Sequence, residues 1–159
     1  MPRLLLLNHV ILFMGCSIYF GVGIFLVVFQ LPLEPRLTPD NYALVFVEPV
    51  QNATQLFTWL TVMMYITAFI MLITEWFTGI RWVPIVILLA LTTATVLTVV
   101  FLFDYNRELI VGIRDPERLR AVFHNWAHWA RVRVAFWVIE WCAMTYWFYR
   151  MAFLARADR

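Results

Sequence analysis

Residues 82–103 read WVPIVILLALTTATVLTVVFLF, without one charged side chain. A helix crossing the hydrocarbon of a bilayer needs about 20 apolar residues, and this run supplies them. Thr92, Thr93, Thr95 and Thr98 sit in its middle. Threonine hydroxyls bond back to the preceding helical turn, so this stripe reads as structural rather than as a polar pathway.

The five residues before it, FTGIR (77–81), separate it from a second apolar run at 53–76. So short a link makes the two helices antiparallel neighbours. Trp76, Arg81 and Trp82 cluster at the turn, where amphipathic rings and a snorkelling guanidinium suit the edge of a membrane.

A third run covers 4–30 and ends at Pro32 and Pro35, which cannot continue a helix. It is too long for the apolar core of a signal peptide, about 7–15 residues, and shows no small-residue cleavage site. It therefore reads as a retained membrane helix. Gly15, Ser17, Gly21 and Gly23 give it a small-residue face, expected to be buried because packing drives helix association in lipid. Between this helix and the next, residues 31–53 are too broken by proline to span and too apolar to be a solvated linker. A short interfacial helix after Pro39 and Asp40 is expected there.

Asp115-Pro116-Glu117 is a strong helix start, aspartate capping and proline in the first helical position. The fourth helix runs from Pro116 to about residue 155, with 126–152 as its membrane part. The expected fold is all-α: one domain, 1–159, built as a four-transmembrane-helix bundle with an interfacial segment between helices one and two.

Composition agrees. The chain is 64% hydrophobic and 18% aromatic with a mean hydropathy of +0.79, outside the range of soluble domains. All 12 basic residues are arginine, scattered, with a net charge of +2, which excludes a nucleic-acid surface. Cys16 and Cys142 lie in apolar runs as small hydrophobes, and no disulfide framework exists. The arginines divide evenly between the membrane sides: Arg3, Arg81, Arg150, Arg156 and Arg159 against Arg36, Arg107, Arg114, Arg118 and Arg120. Crowding of arginines at the tail tips the expectation to cytoplasmic termini.

The fourth helix holds the chemistry. At 100° per residue, Glu117, Arg120, His124, His128 and Arg131 share one face, continued by Ala135, Cys142, Tyr146 and Tyr149. Trp126, Trp129, Arg133, Trp137, Glu140, Met144 and Trp147 share the other. Charge is costly in lipid, so the His124–His128–Arg131 face is expected to look into the bundle or a wet cavity. Arg133, Trp137 and Glu140 are then expected to meet a partner, with Arg133 reaching towards Glu140 or a neighbouring helix compensating it. Several readings of His124 and His128 stay open: a metal ion between two histidines one turn apart, haem ligated with help from His9, plain interfacial hydrogen bonding, or acid–base and substrate-binding work near neutral pH. The HExxH pattern of zincins is absent, and no resident cofactor is expected.

The second half resembles the anthrone-oxygenase-like family of small four-helix membrane proteins. The resemblance rests on Asn106, Arg107 and Leu109 in YNREL, on Trp126 to Arg131 with His128 between, and on Pro32 in FQLPL. It implies a polar site at one membrane face, built from an Asn106 loop and the start of helix four, and oxygenation of a polycyclic anthrone to a quinone without a metal or flavin. The proline-rich connection and the Arg133–Glu140 pair depart from that pattern and favour a member that docks onto something.

Two functions follow as expectations. In the first, an oxidoreductase-like protein binds a flat hydrophobic molecule, quinol- or anthrone-like. His128 or His124 is the base, Arg131 stabilises the oxygen, and Asn106, Arg107 and Trp126 hold the substrate. In the second, a non-catalytic accessory subunit docks onto a larger membrane complex, or onto a second copy of itself, through Arg133, Trp137 and Glu140.

Overall fold

The computed structural model describes residues 3–157, with side chains as far as Phe153, and every regular element described is helical. Five α-helices follow in order: α1 Arg3–Phe25, α2 Glu48–Glu75, α3 Trp82–Leu97, α4 Phe103–Val111 and α5 Pro116–Ala157. Wide π-type turns at Leu26–Gln30, Ala43–Val47 and Thr98–Leu102 extend or join them. The result is four long rods: Arg3–Arg36, Ala43–Glu75, Trp82–Val111 and α5.

The connecting turns correct four expectations. The first rod does not stop before Pro32. A 3-10 turn, Leu31–Arg36, accommodates Pro32 at its start, where no N–H is needed, and carries the rod on past Pro35. No separate interfacial helix lies across the bundle mouth, because Ala43–Val47 feeds straight into α2, whose first turn tolerates Pro49. The second rod therefore starts about ten residues earlier than the apolar pattern suggests. Asn106 lies on α4, not on a loop.

The first three rods are long and apolar enough to cross a membrane, which marks a membrane protein. At 42 residues α5 has the length, but Arg131, Arg133, Glu140, Arg150 and its many tryptophans and tyrosines leave it less apolar. Arginines 156 and 159, which weigh in the balance of charge across the membrane, lie outside the described side chains.

The rods close a ring in which α1 packs on α2 and α5, and α3 packs on the same two. Side-chain pairs fix an antiparallel register along each seam. Phe101 stacks on Trp129 at 4.0 Å and Trp82 lies 5.1 Å from Tyr146, so α5 descends as the third rod rises. On α1 the partners are Tyr19 with Trp137 and His9 with Trp147. The core between the rods holds Leu12, Met64, Met71, Ile87, Leu91, Met144 and Trp147.

Two glycines permit the close approach of α1. A Cβ at Gly15 would come 2.7 Å from Met64 Cγ, and one at Gly23 would come 2.9 Å from Val134 and 3.0 Å from Trp137. Gly21 is exposed and meets nothing, and Ser17 is half-buried, so the expected small-residue face narrows to the two inward positions. The threonine stripe behaves as expected: Thr93, Thr95 and Thr98 each donate to the carbonyl four residues back at 2.8 Å.

At the end remote from the termini, Gly112 turns the chain from α4 towards α5 with φ +105°, a conformation that favours glycine. Buried Tyr42 clamps the turn: its hydroxyl donates to Leu109 O at 3.1 Å and accepts from Ile113 N at 2.8 Å. Tyr42→Phe leaves both backbone groups unpaired in a buried place and should cost about 1–3 kcal/mol, read as a lower thermal midpoint in detergent. Asp115 then caps α5 as the sequence suggests, accepting from Glu117 N at 3.0 Å.

Candidate functional site

The faces of α5 are the reverse of the expectation. His124, His128, Arg131, Cys142, Tyr146 and Tyr149 point outwards, whereas Trp126, Trp137, Glu140, Met144 and Trp147 are buried in the bundle. The cause is depth combined with volume. Asn106 beside Trp126 and Phe101 beside Trp129 set the level of His124–Arg131 at the mouth, beside the polar ends of the first and third rods. Polar groups there are solvated without entering the bundle. The inward side of α5 interleaves the small Ala127, Ala130 and Ala143 with the large rings of Trp126, Trp137 and Trp147, all buried.

Several of the mouth residues make ordinary pairs. His124 Nδ1 lies 3.4 Å from Glu34 Oε1 on the 3-10 turn. His128 meets Trp129 edge-on at 5.4 Å. Trp126 Nε1 donates to Asn106 Oδ1 at 2.9 Å, tying α5 to α4, so two of the three expected substrate-holding residues do meet. Arg107 is exposed and lies 3.9 Å from Asp104. Arg118 donates to Glu108 at 2.6 Å, and that carboxylate holds its guanidinium above the ordinary value.

His9 lies at the opposite end of the bundle, stacked on Trp147 at 4.3 Å. It cannot share a metal or haem with His124 or His128. Among the described residues no group of three histidine, cysteine, aspartate or glutamate side chains converges as a metal would require.

The inward face of α5 carries the unexplained chemistry. Glu140 is 0% exposed and neither carboxyl oxygen has a hydrogen-bond partner. One face up, Arg133 donates to Thr98 Oγ1 at 3.3 Å, and its guanidinium carbon stands 4.7 Å over the ring of Trp137, while its Nε is buried and unpartnered. No Arg133–Glu140 ion pair forms, because two turns of helix and Trp137 separate them. Tyr19 stacks on Trp137 at 4.6 Å, and its hydroxyl lies 2.5 Å from Thr61 Oγ1. Trp137 and Glu140, expected to face a partner, are instead buried inside this chain, Trp137 against Tyr19 of α1, and Arg133 reaches Thr98 of the third rod.

Buried polar atoms are nearly always paired, and each lone one costs about 1–3 kcal/mol. A lone carboxyl and a half-satisfied guanidinium bracketing a tryptophan in a membrane protein's core therefore make this the candidate site. The arrangement offers a proton acceptor at one end, an oxyanion holder at the other and two stacked aromatic rings between. The best-formed cavities, of about 40 and 30 Å³, lie near the mouth around Phe46 and are far below the few hundred Å³ of a ready ligand pocket. A ligand reaching Glu140 must part the helices.

No family model, curated protein or solved structure matches this chain.

Proposed function

We propose that the chain is a multi-pass membrane protein, with α5 as its fourth span and its termini cytoplasmic. In this reading it binds a flat hydrophobic molecule bearing ring oxygens, quinol- or anthrone-like, in an oxidoreductase-like role. The observation that carries this is Glu140, wholly buried with both oxygens unpartnered, seven residues from a half-buried Arg133 whose Nε is buried and unpartnered on the same face. A ring hydroxyl or acidic C–H at Glu140 and a carbonyl oxygen at Arg133 would satisfy both orphans at once.

The step this arrangement suits is proton abstraction. Glu140 takes the proton, the electron pair moves onto the ring oxygen, and Arg133 holds the resulting oxyanion in a site that excludes water. The likeness to the anthrone-oxygenase-like family supports the substrate class. The roles given to His128 and Arg131 by the sequence pass to Glu140 and Arg133. Packing of α5 along both α1 and the third rod supports the fourth span.

Tryptophan quenching by a dihydroxylated tricyclic ring in nanodiscs tests the reading. The expected result is saturable quenching by that ring and none by the oxygen-free hydrocarbon of the same shape. Equal partitioning of both would overturn it.

A further inference from the structure

At the other end of the bundle a second buried group has no part in the Arg133–Glu140 site. His9 is 0% exposed; its Nδ1 contacts the carbonyl of Leu5, one turn back. A carbonyl only accepts, so Nδ1 carries the ring hydrogen and a neutral His9 presents a bare lone pair at Nε2. That nitrogen has no hydrogen-bond partner and lies 3.7 Å from Glu75 Oε1, at the end of α2. Glu75 Oε1 also accepts from Trp147 Nε1 at 3.3 Å, and Oε2 lies 2.9 Å from the hydroxyl of Thr78. Without a further proton, a lone pair and a carboxylate face one another in a buried space, which is unfavourable.

We propose that His9 and Glu75 form a proton-binding site holding one exchangeable proton, taken from water at the end of the bundle where the chain starts and finishes. The proton lies on either partner, as imidazolium against carboxylate or as a carboxylic acid donating to Nε2, and the atoms balance in both forms. Thr78 is exposed on the α2–α3 turn and touches Glu75, so it supplies the way in from water. Beyond the pair, Leu12, Met64, Met71 and Met144 are fully buried and apolar, and they seal it from Glu140. The site therefore loads and unloads from one side only, and its proton pins α1 to α2 and, through the His9–Trp147 stack, to α5. The other charged side chains described at this end are Arg3 on α1, Arg81 at the start of α3 and Arg150 on α5. None lies within 4.0 Å of the Glu75 carboxylate.

Nitrogen-15 NMR of histidine-labelled full-length protein in nanodiscs across pH tests this without any ligand, so its outcome is independent of the quinol reading. The expected spectrum has His9 Nδ1 protonated throughout while Nε2 gains and loses its proton. Glu75→Gln should move that midpoint by about one pH unit or more, a tenfold change in proton affinity. Thr78→Val should slow exchange and leave the midpoint nearly unmoved. A neutral His9 with its hydrogen on Nε2 in the unaltered protein overturns the proposal, and so does a midpoint indifferent to Glu75→Gln. Should Glu75→Gln fail to fold, the tautomer of the unaltered protein decides alone.

Discussion

Glu140→Met should make the protein more stable and, at the same time, deaf to ring oxygens. The side chain is fully buried with neither oxygen paired, so methionine of similar length removes an unsatisfied group and keeps the packing against its neighbours. Removing such a group returns about 1–3 kcal/mol, as buried charges replaced by well-packed apolar residues often do. The thermal midpoint in detergent should rise by several degrees, while affinity for a hydroxylated tricyclic ring falls at least tenfold, about 1.4 kcal/mol. A stability gain bought with lost function is the signature of a site. If Glu140 were structural, through a pairing that forms only in the bilayer, the same variant would unfold sooner.

The second large effect concerns α1. Gly23→Val sets new atoms within about 3 Å of Val134 and Trp137, two rigid side chains that cannot swing aside. Overpacking of this kind costs about 1–3 kcal/mol or more and separates α1 from α5 where Tyr19 and Trp137 stack. Both the thermal midpoint and ring binding should fall. Gly21→Val, two residues away and facing nothing, should leave the stability within about 0.5 kcal/mol of the unaltered protein. Thermal unfolding of the two variants side by side checks the contrast.

That pair of glycines shows what a single sequence does and does not carry. Apolar length located the first three rods, because the hydrophobic requirement is local and additive along the chain, and the Asp115-Pro116-Glu117 start located α5. The threonine back-bonds and the Asp115 cap were also legible, each depending on residues within one turn. The two faces of α5 were separable by periodicity, yet which face looks inward was not. Charge must hide inside the bundle only where it lies deep in the hydrocarbon. His124, His128 and Arg131 sit at the mouth, and a sequence gives depth only to within a turn or so. Alanines 127, 130 and 143 beside Trp126, Trp137 and Trp147 were the missed signal, small and large residues interleaved as a packed seam needs. Contacts between distant segments were out of reach. Nothing in the spacing of His9 and Glu75 announces that they meet, and propensity alone does not announce the 3-10 turn that carries the first rod past Pro32 and Pro35 or the wide turn that feeds α2 ahead of Pro49.

The central claim is that function lies on the inward face of α5. Ring binding in nanodiscs, measured by tryptophan quenching, separates it from the alternative with two double variants: Arg133→Met with Glu140→Met, and His128→Ala with Arg131→Ala. Loss of saturable binding in the first, with the second within about twofold of the unaltered protein, is the predicted result. Binding retained in the first and lost in the second would contradict the account and return the site to the mouth of the bundle.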